Sequence, residues 1–368
     1  LEAHGELDEA LRIRREEGIP GFEKLGDVLS RAIILGKIAD ILPVCGEPDK
    51  ALCILREEVI PVFEELGDLR SRAVALGQIA NILQARGELD EALRILRKEV
   101  LPAFEDLADV RERAIALGQI ANILQARGEF DEALRIRREE VIPGSEKLGD
   151  VRSRAIMLGR IADILQARGE LDEALRIRRE EQLPVFEKLG EVRSKAVTLG
   201  KIAGVLQARG ELDEAIRILR EEALPVFEKL GDVRSRAITL GRIADILQAR
   251  GELDEALRIR REEVLPVFEK LGDVHSRAFA LGKIADVLEV RGELDEALRI
   301  RREEVLPVFE KLCDVISRAI TVGKIAGVLQ ARGELDEALR IRREEELPVF
   351  EKLGDDRPRA ITLGRIAD

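Results

Sequence analysis

A glycine recurs every 41 residues along the chain, at Gly5, Gly46, Gly87, Gly128, Gly169, Gly210, Gly251, Gly292 and Gly333, with no insertion or deletion between copies. A fixed period of this length builds stacked supersecondary units, each needing its neighbours to bury its apolar face. The 368 residues are therefore expected to form one continuous solenoid domain over 1–368 rather than two or three closed globules. The period divides it into a partial second helix over 5–26, eight whole helix pairs over 27–354 and a partial first helix over 355–368. The chain begins without Met, inside a repeat, and stops within the next helix, which reads as a segment of a longer protein.

The unit from Asp232 to Gly272 shows why each copy is a helical hairpin. Asp232 is an N-cap candidate for a first helix, here called the A helix. Its apolar residues Ala237, Ile238, Leu240, Ile243, Ala244, Ile246 and Leu247 cover well over half of a helical wheel. Only the stripe Thr239, Arg242, Asp245 and Gln248 is left to face water. Gly251 ends this helix near the C-cap, where positive backbone dihedrals are cheap for glycine. A second, B helix is expected from about Leu253 to Leu271, with Leu253, Ala256, Leu257, Val264, Phe268 and Leu271 on one apolar stripe and charge on the other face.

Pro266 interrupts the B helix and has counterparts at Pro20, Pro61, Pro102, Pro143, Pro184, Pro225, Pro307 and Pro348. An interior proline costs a helix about 3 kcal/mol, so its recurrence in register implies a built-in kink or break. Gly144 and Ser145 stand where other repeats carry Val-Phe, and Gly21 follows Pro20, so looser turns are expected there. Ala108 and Cys313 occupy the position of the glycine that ends the B helix elsewhere, which implies that this turn tolerates ordinary dihedrals. Pro43 and Pro48 flank Gly46, so the first A helix is expected to end early.

Composition narrows the function. Acidic residues outnumber basic ones by 73 to 61, for a formal charge of −12, which opposes binding to a phosphate backbone. Cys45, Cys53 and Cys313 share no repeat position and no CxxC spacing, so neither a disulfide framework nor a metal site is expected, and a reducing, cytoplasmic setting fits. No apolar run approaches a membrane span. His4 and His275 are the only histidines, and no nucleophile–base pair, phosphate-cradling loop or metal cluster is visible, so no catalysis and no cofactor are expected.

Ile243-Ala244, Leu247, Gly251, Leu253 and Ala256, repeated along the chain, resemble the tetratricopeptide repeat family in its longer form of about forty residues per unit. The Phe-Glu-Lys-Leu-Gly-Asp tail of the B helix is similar to the same form. The family's usual aromatics are replaced by Leu247, Leu253 and Arg260. The resemblance implies an all-α, right-handed superhelical solenoid of antiparallel helix pairs whose A helices line a concave, non-catalytic wall for peptides or protein segments. The lysine of the clamp by which some members grip chaperone C-termini is replaced by Gly36, Gly77 and Gly118, so that ligand is not expected.

The helical wheel leaves the same A-helix stripe free, and it repeats as a ladder. The candidate peptide-binding residues are Gln78, Asn81, Gln84, Gln119, Asn122, Gln125, Arg160, Asp163, Lys201, Arg242, Asp245, Lys283 and Asp286. The uncharged set around Gln78/Asn81 and Gln119/Asn122 is the first candidate for bonding a peptide backbone. The plainer reading is a solvated charged face in which pairs such as Arg160/Asp163 satisfy each other. A second ladder on the B helix, Arg14, Arg137, Arg178, Arg260, Arg301 and Arg342 with Leu55, Leu96 and Leu219 in the other copies, reads as structural, each stem packing while its head reaches out. The expected function is a protein- or peptide-binding scaffold within a larger protein, with no nucleic acid or membrane partner. The alternative is a structural array that self-associates head to tail through uncapped ends.

Overall fold

The computed structural model describes residues 9–147, 149–312, 314–353 and 356–367. All regular structure among them is helical, and packing divides the chain, between Glu170 and Leu171, into two compact units. Each unit is a stack of the same hairpin, an α-solenoid. No described helix is long and apolar enough to cross a membrane.

The hairpin forms because local signals and apolar pattern agree. The Asp232 carboxylate accepts the Ser235 N–H at 2.9 Å, a cap worth about 1 kcal/mol, and the A helix runs Val233–Ala249. Asp27, Asp68, Asp150, Asp273 and Asp314 cap their A helices through the equivalent serine. Gly251 follows in the left-handed region at φ 83°. The first A helix runs to Ile41, with Leu42 still at helical dihedrals, and ends there because Pro43 has no N–H to continue the ladder. Ala237, Ala244 and Ala256 are completely buried, their methyl groups allowing close helix approach. Of the eight in-register phenylalanines, seven are 3–5% exposed and Phe22 is half-buried.

The break expected in the B helix takes a specific form. Leu253–Arg258 is α-helical, Ile259–Val264 is a π turn, and Leu265–Lys270 is α-helical again. The Leu265 N–H donates to the Arg260 carbonyl, five residues back. Pro266 then falls in the first turn of the last segment, where a missing N–H costs little. The cause of the π turn is the spacing of the buried residues. Ala256, Arg260, Val264 and Phe268 are all buried and lie four residues apart, a pattern that drifts by about 120° over three steps of a 3.6-residue helix. One wider turn takes up that drift. The same turn recurs in B helices from Arg14–Gly18 to Arg342–Glu346. π turns often mark functional sites; here recurrence beside every in-register proline makes this one architectural. The helix also continues through Gly21 and through Gly144 and Ser145, so those positions alter packing rather than the turn.

The turn after the B helix corrects one expectation. Ala108 adopts φ 50° and is the only described non-glycine residue with positive φ; its counterparts Gly67, Gly149, Gly190, Gly231 and Gly272 lie between 63° and 68°. The turn thus demands a left-handed backbone, since the Gly67 N–H bonds back to Glu64 and the next N–H to Phe63 only in that conformation. Cys313, read in the same way, lies outside the described residues. Ala108→Gly is therefore expected to stabilise the protein by about 1 kcal/mol, seen as a higher denaturation midpoint in urea at unchanged slope.

Candidate functional site: the groove between successive A helices

The thirteen candidate residues all lie on A helices. In the first unit Gln78, Asn81 and Gln84 are on Leu69–Ala85, Gln119, Asn122 and Gln125 on Val110–Ala126, and Arg160 and Asp163 on Val151–Ala167. In the second, Lys201 is on Val192–Arg209, Arg242 and Asp245 on Val233–Ala249, and Lys283 and Asp286 on Val274–Val290. Asn81, Asn122 and Arg160 are exposed and the others half-buried.

Stacking makes these side chains meet across the repeat boundary, 38 residues apart, rather than along their own helix. Gln78 Nε2 donates to Asp40 Oδ1 at 2.8 Å and Gln119 Nε2 to Asn81 Oδ1 at 2.9 Å. Lys283 Nζ lies 3.2 Å from Asp245 Oδ1, and Lys324 Nζ 3.3 Å from Asp286 Oδ1. At one rung the same geometry covers the mid-helix glycine, whereas a Cβ at Gly118, Gly241 or Gly282 would meet nothing within 4 Å. The Arg242 guanidinium lies over Gly200, and a Cβ there would stand 2.5 Å from Nη1.

The B-helix arginines are buried to the head, where an exposed head was expected. Arg137, Arg178, Arg260, Arg301 and Arg342 are 1–3% exposed, because the π turn aims them inward beneath the A helices. Arg260 Nη2 donates to Asp245 Oδ1 at 2.6 Å, and Arg301 Nη2 to Asp286 Oδ1 and Glu289 Oε2, both at 2.8 Å. One aspartate therefore receives a buried arginine from below and a lysine from the next repeat. Burial works against the Asp286 carboxylate, but Arg301 and Lys324 outweigh it and hold its pKa below the ordinary value. At Asp40, where Leu55 replaces the arginine, burial prevails over the Gln78 hydrogen bond and the pKa rises.

The repeats compensate one another's substitutions. Where Leu219 replaces the arginine, Gly204 replaces the aspartate. Where Gly327 replaces the aspartate, Arg342 is kept but takes Gln330 Oε1 at 3.2 Å and Glu346 Oε2 at 3.5 Å, and Glu346 occupies a position that is valine in most copies. Arg178 donates to buried Gln182, another replacement at that position, at 3.2 Å.

Between successive A helices these groups floor a recurring groove. In the second unit a cavity of about 340 Å³ is lined by Phe279, Lys283, Asp286, Arg301, Phe309 and Ile320, among others. In the first unit a cavity of about 610 Å³ is lined by residues that include their counterparts four repeats earlier, Ile115, Gln119, Asn122, Arg137, Ser145 and Ile156. The lips were missed in the sequence. Ile33, Val74, Ile115, Val197, Ile238, Phe279, Ile320 and Ile361 share one repeat position and are 37–59% exposed, although Ile238 reads as core on a helical wheel. Conversely Thr239, read as facing water, is 5% exposed; its Oγ1 donates to the Ser235 carbonyl at 2.8 Å, which satisfies the hydroxyl without solvent. Lys283 Nζ stands 5.7 Å from the centre of the Phe279 ring. Among the described residues no group of acidic, histidine or cysteine side chains could hold a metal ion.

Models of the tetratricopeptide repeat match residues 72–98, 116–147 and 194–259. These are tetratricopeptide repeats. Solved structures carry the same fold. Aspartyl phosphate phosphatase F from Bacillus subtilis matches at 14% identity and TM-score 0.59, over 96% of this chain and 94% of that one. A Rap protein complexed with Competence and Sporulation Factor matches at 15% identity and TM-score 0.51, over 91% and 96%. A signal transduction ATPase with a tetratricopeptide repeat sensor, from Pyrococcus horikoshii, matches at 14% and 0.55, over 96% of this chain and 55% of that one. A search of curated proteins finds no match. The tetratricopeptide hairpin thus accounts for the fold, and the arginine–aspartate rung is built on it by this chain's own side chains.

Asp245→Asn leaves Arg260 buried without a carboxylate and is expected to cost about 1–3 kcal/mol, measured by chemical denaturation. Because Asp286 is held below its ordinary pKa, its pair stabilises fully above about pH 4–5 and is lost as pH falls through the lower folded value. Asp286→Asn should therefore remove part of the acid sensitivity of unfolding below about pH 4.

Proposed function

We propose that the chain is a non-catalytic scaffold that binds extended peptide or protein segments in the grooves between successive A helices. The observation that carries this reading is the recurrence of one groove, with an exposed apolar lip above a half-buried polar rung, at the same repeat positions in both units. Apolar side chains of a ligand would pack on the lip, and its backbone and polar groups would meet the amides and charges of the rung, a division of labour common in peptide recognition. Gln78 and Gln119 are already engaged with Asp40 and Asn81, so a peptide would compete for or extend those bonds. The Rap protein in complex with Competence and Sporulation Factor supports a tetratricopeptide array of similar extent holding a partner.

The test is selection from a library of unstructured peptides, followed by affinity measurement on a variant carrying Ile115→Glu, Ile238→Glu and Ile320→Glu. These residues are exposed, so the variant should remain helical and lose at least tenfold in affinity for the selected peptides. Undiminished binding by the variant, or failure to enrich any peptide, would exclude this face.

A further inference from the structure

One groove differs from the rest in two ways at once. At the rung formed by Asn122, the carboxylate that serves Arg260 and Lys283 at Asp245, and Arg301 and Lys324 at Asp286, is an amide. The two corresponding cations are still present, as Arg137 and Arg160. Arg137 is 1% exposed; among the described residues its hydrogen bonds run from Nη2 to Asn122 Oδ1 at 2.6 Å and from Nη1 to Met157 Sδ at 3.8 Å, and its buried Nε, like those of Arg260 and Arg301, has no partner there. Burial and the nearby Arg160 charge push its pKa down to about 10, against a weaker pull from Asp163. Asp150 lines the same cavity, but its carboxylate is taken by the Ser153 N–H at 2.8 Å and the Ser153 hydroxyl at 2.6 Å.

The second difference is space. Ser145 stands where seven other repeats bury a phenylalanine, and Gly144 where valine or alanine precedes it in most copies. The Ser145 hydroxyl turns back to the Val141 carbonyl at 3.3 Å and leaves the ring's volume open. The cavity reaches about 610 Å³, against about 340 Å³ at the equivalent groove that keeps Phe309 and Asp286. Its walls combine Ile115, Val141, Ile156 and Met157 with Arg111, Arg137 and Arg160. A repeat that loses its carboxylate and its ring together lacks both an anion and an apolar body.

We propose that this groove is a binding site for a carboxylate carried on a compact apolar body. The oxyanion sits between Arg137 and Arg160, where other rungs have their aspartate, and the apolar part fills the space of the missing ring. The ligand can be a free organic acid or an acidic residue beside an aromatic one in a peptide. The site shares Gln119, Asn122 and Arg160 with the peptide-binding face proposed above, but it rests on its own cavity and does not require that reading.

Calorimetric titration with 3-phenylpropionate, its amide and a short peptide carrying Glu beside Phe tests this. The free acid, the peptide or both should bind, the neutral amide at least tenfold more weakly than the acid, and added salt should weaken binding. Asn122→Asp and Ser145→Phe each restore the residue found in other repeats, so both variants should fold at least as well as the parent, and each should abolish binding. Binding by neither acidic probe, equal binding of the amide, or undiminished binding by Asn122→Asp would overturn the proposal. Library-selected peptides that depend on Ile238 and Ile320 in the second unit should be unaffected by both variants, which keeps the two readings separable.

Discussion

The structure depends on the need of each A helix for cover on more than one side. Ala237, Leu240, Ile243, Ala244, Ile246 and Leu247 are all at most 5% exposed, yet they span too much of the helix for one B helix to bury. At about 25 cal/mol per Å² of apolar surface, leaving one flank open would forfeit much of the stability of the hairpin, so the next hairpin must pack against it. Everything polar on the open face follows from that packing. Residues 38 apart become neighbours, and the rung forms between hairpins. Ion pairs such as Arg250–Asp213 and Arg291–Asp254, at 3.0 and 2.6 Å, also cross the boundary, but each aspartate is 93% exposed, and such pairs contribute little.

Much of this was legible in the sequence because it was repeated. The 41-residue glycine, the aspartate cap and the alanines gave the hairpin, its ends and its stacking. What periodicity could not resolve was which apolar or polar residue a neighbour would cover. Ile238 and Thr239 exchange their expected environments because a 3.6-residue wheel describes one helix, whereas burial here is decided by three. Thr239 tolerates the core by bonding its own backbone, and Ile238 is left at the lip. The π turn did leave a signal, the four-residue spacing of Ala256, Arg260, Val264 and Phe268, but reading it required counting Arg260 as a core residue. At Ala108 the sequence misleads, because two exceptions to a glycine position imply tolerance, whereas the backbone there is left-handed and the alanine is strained.

The buried arginines are the costliest groups in the fold. Taking a guanidinium out of water is offset only when a carboxylate and further hydrogen bonds meet it, and most rungs supply them. The paired changes at Leu219 with Gly204, and at Gly327 with Glu346, follow from the same requirement: charge and countercharge are lost together or replaced nearby. The Asn122 rung is the departure: Arg137 keeps its burial, and its hydrogen-bond partners among the described residues, Asn122 and Met157, are neutral.

The route by which the arginine arrives has a wider consequence. The ionic character of a groove is set by a side chain that originates on the far helix and never meets solvent, while the contour of its rim is set by the near helix. Two repeats can thus present identical exteriors and attract opposite ligands. Interchange of Arg and Leu at that hidden position would retune one site along the chain without disturbing its shape, so successive copies can diverge in preference while their visible surface stays the same.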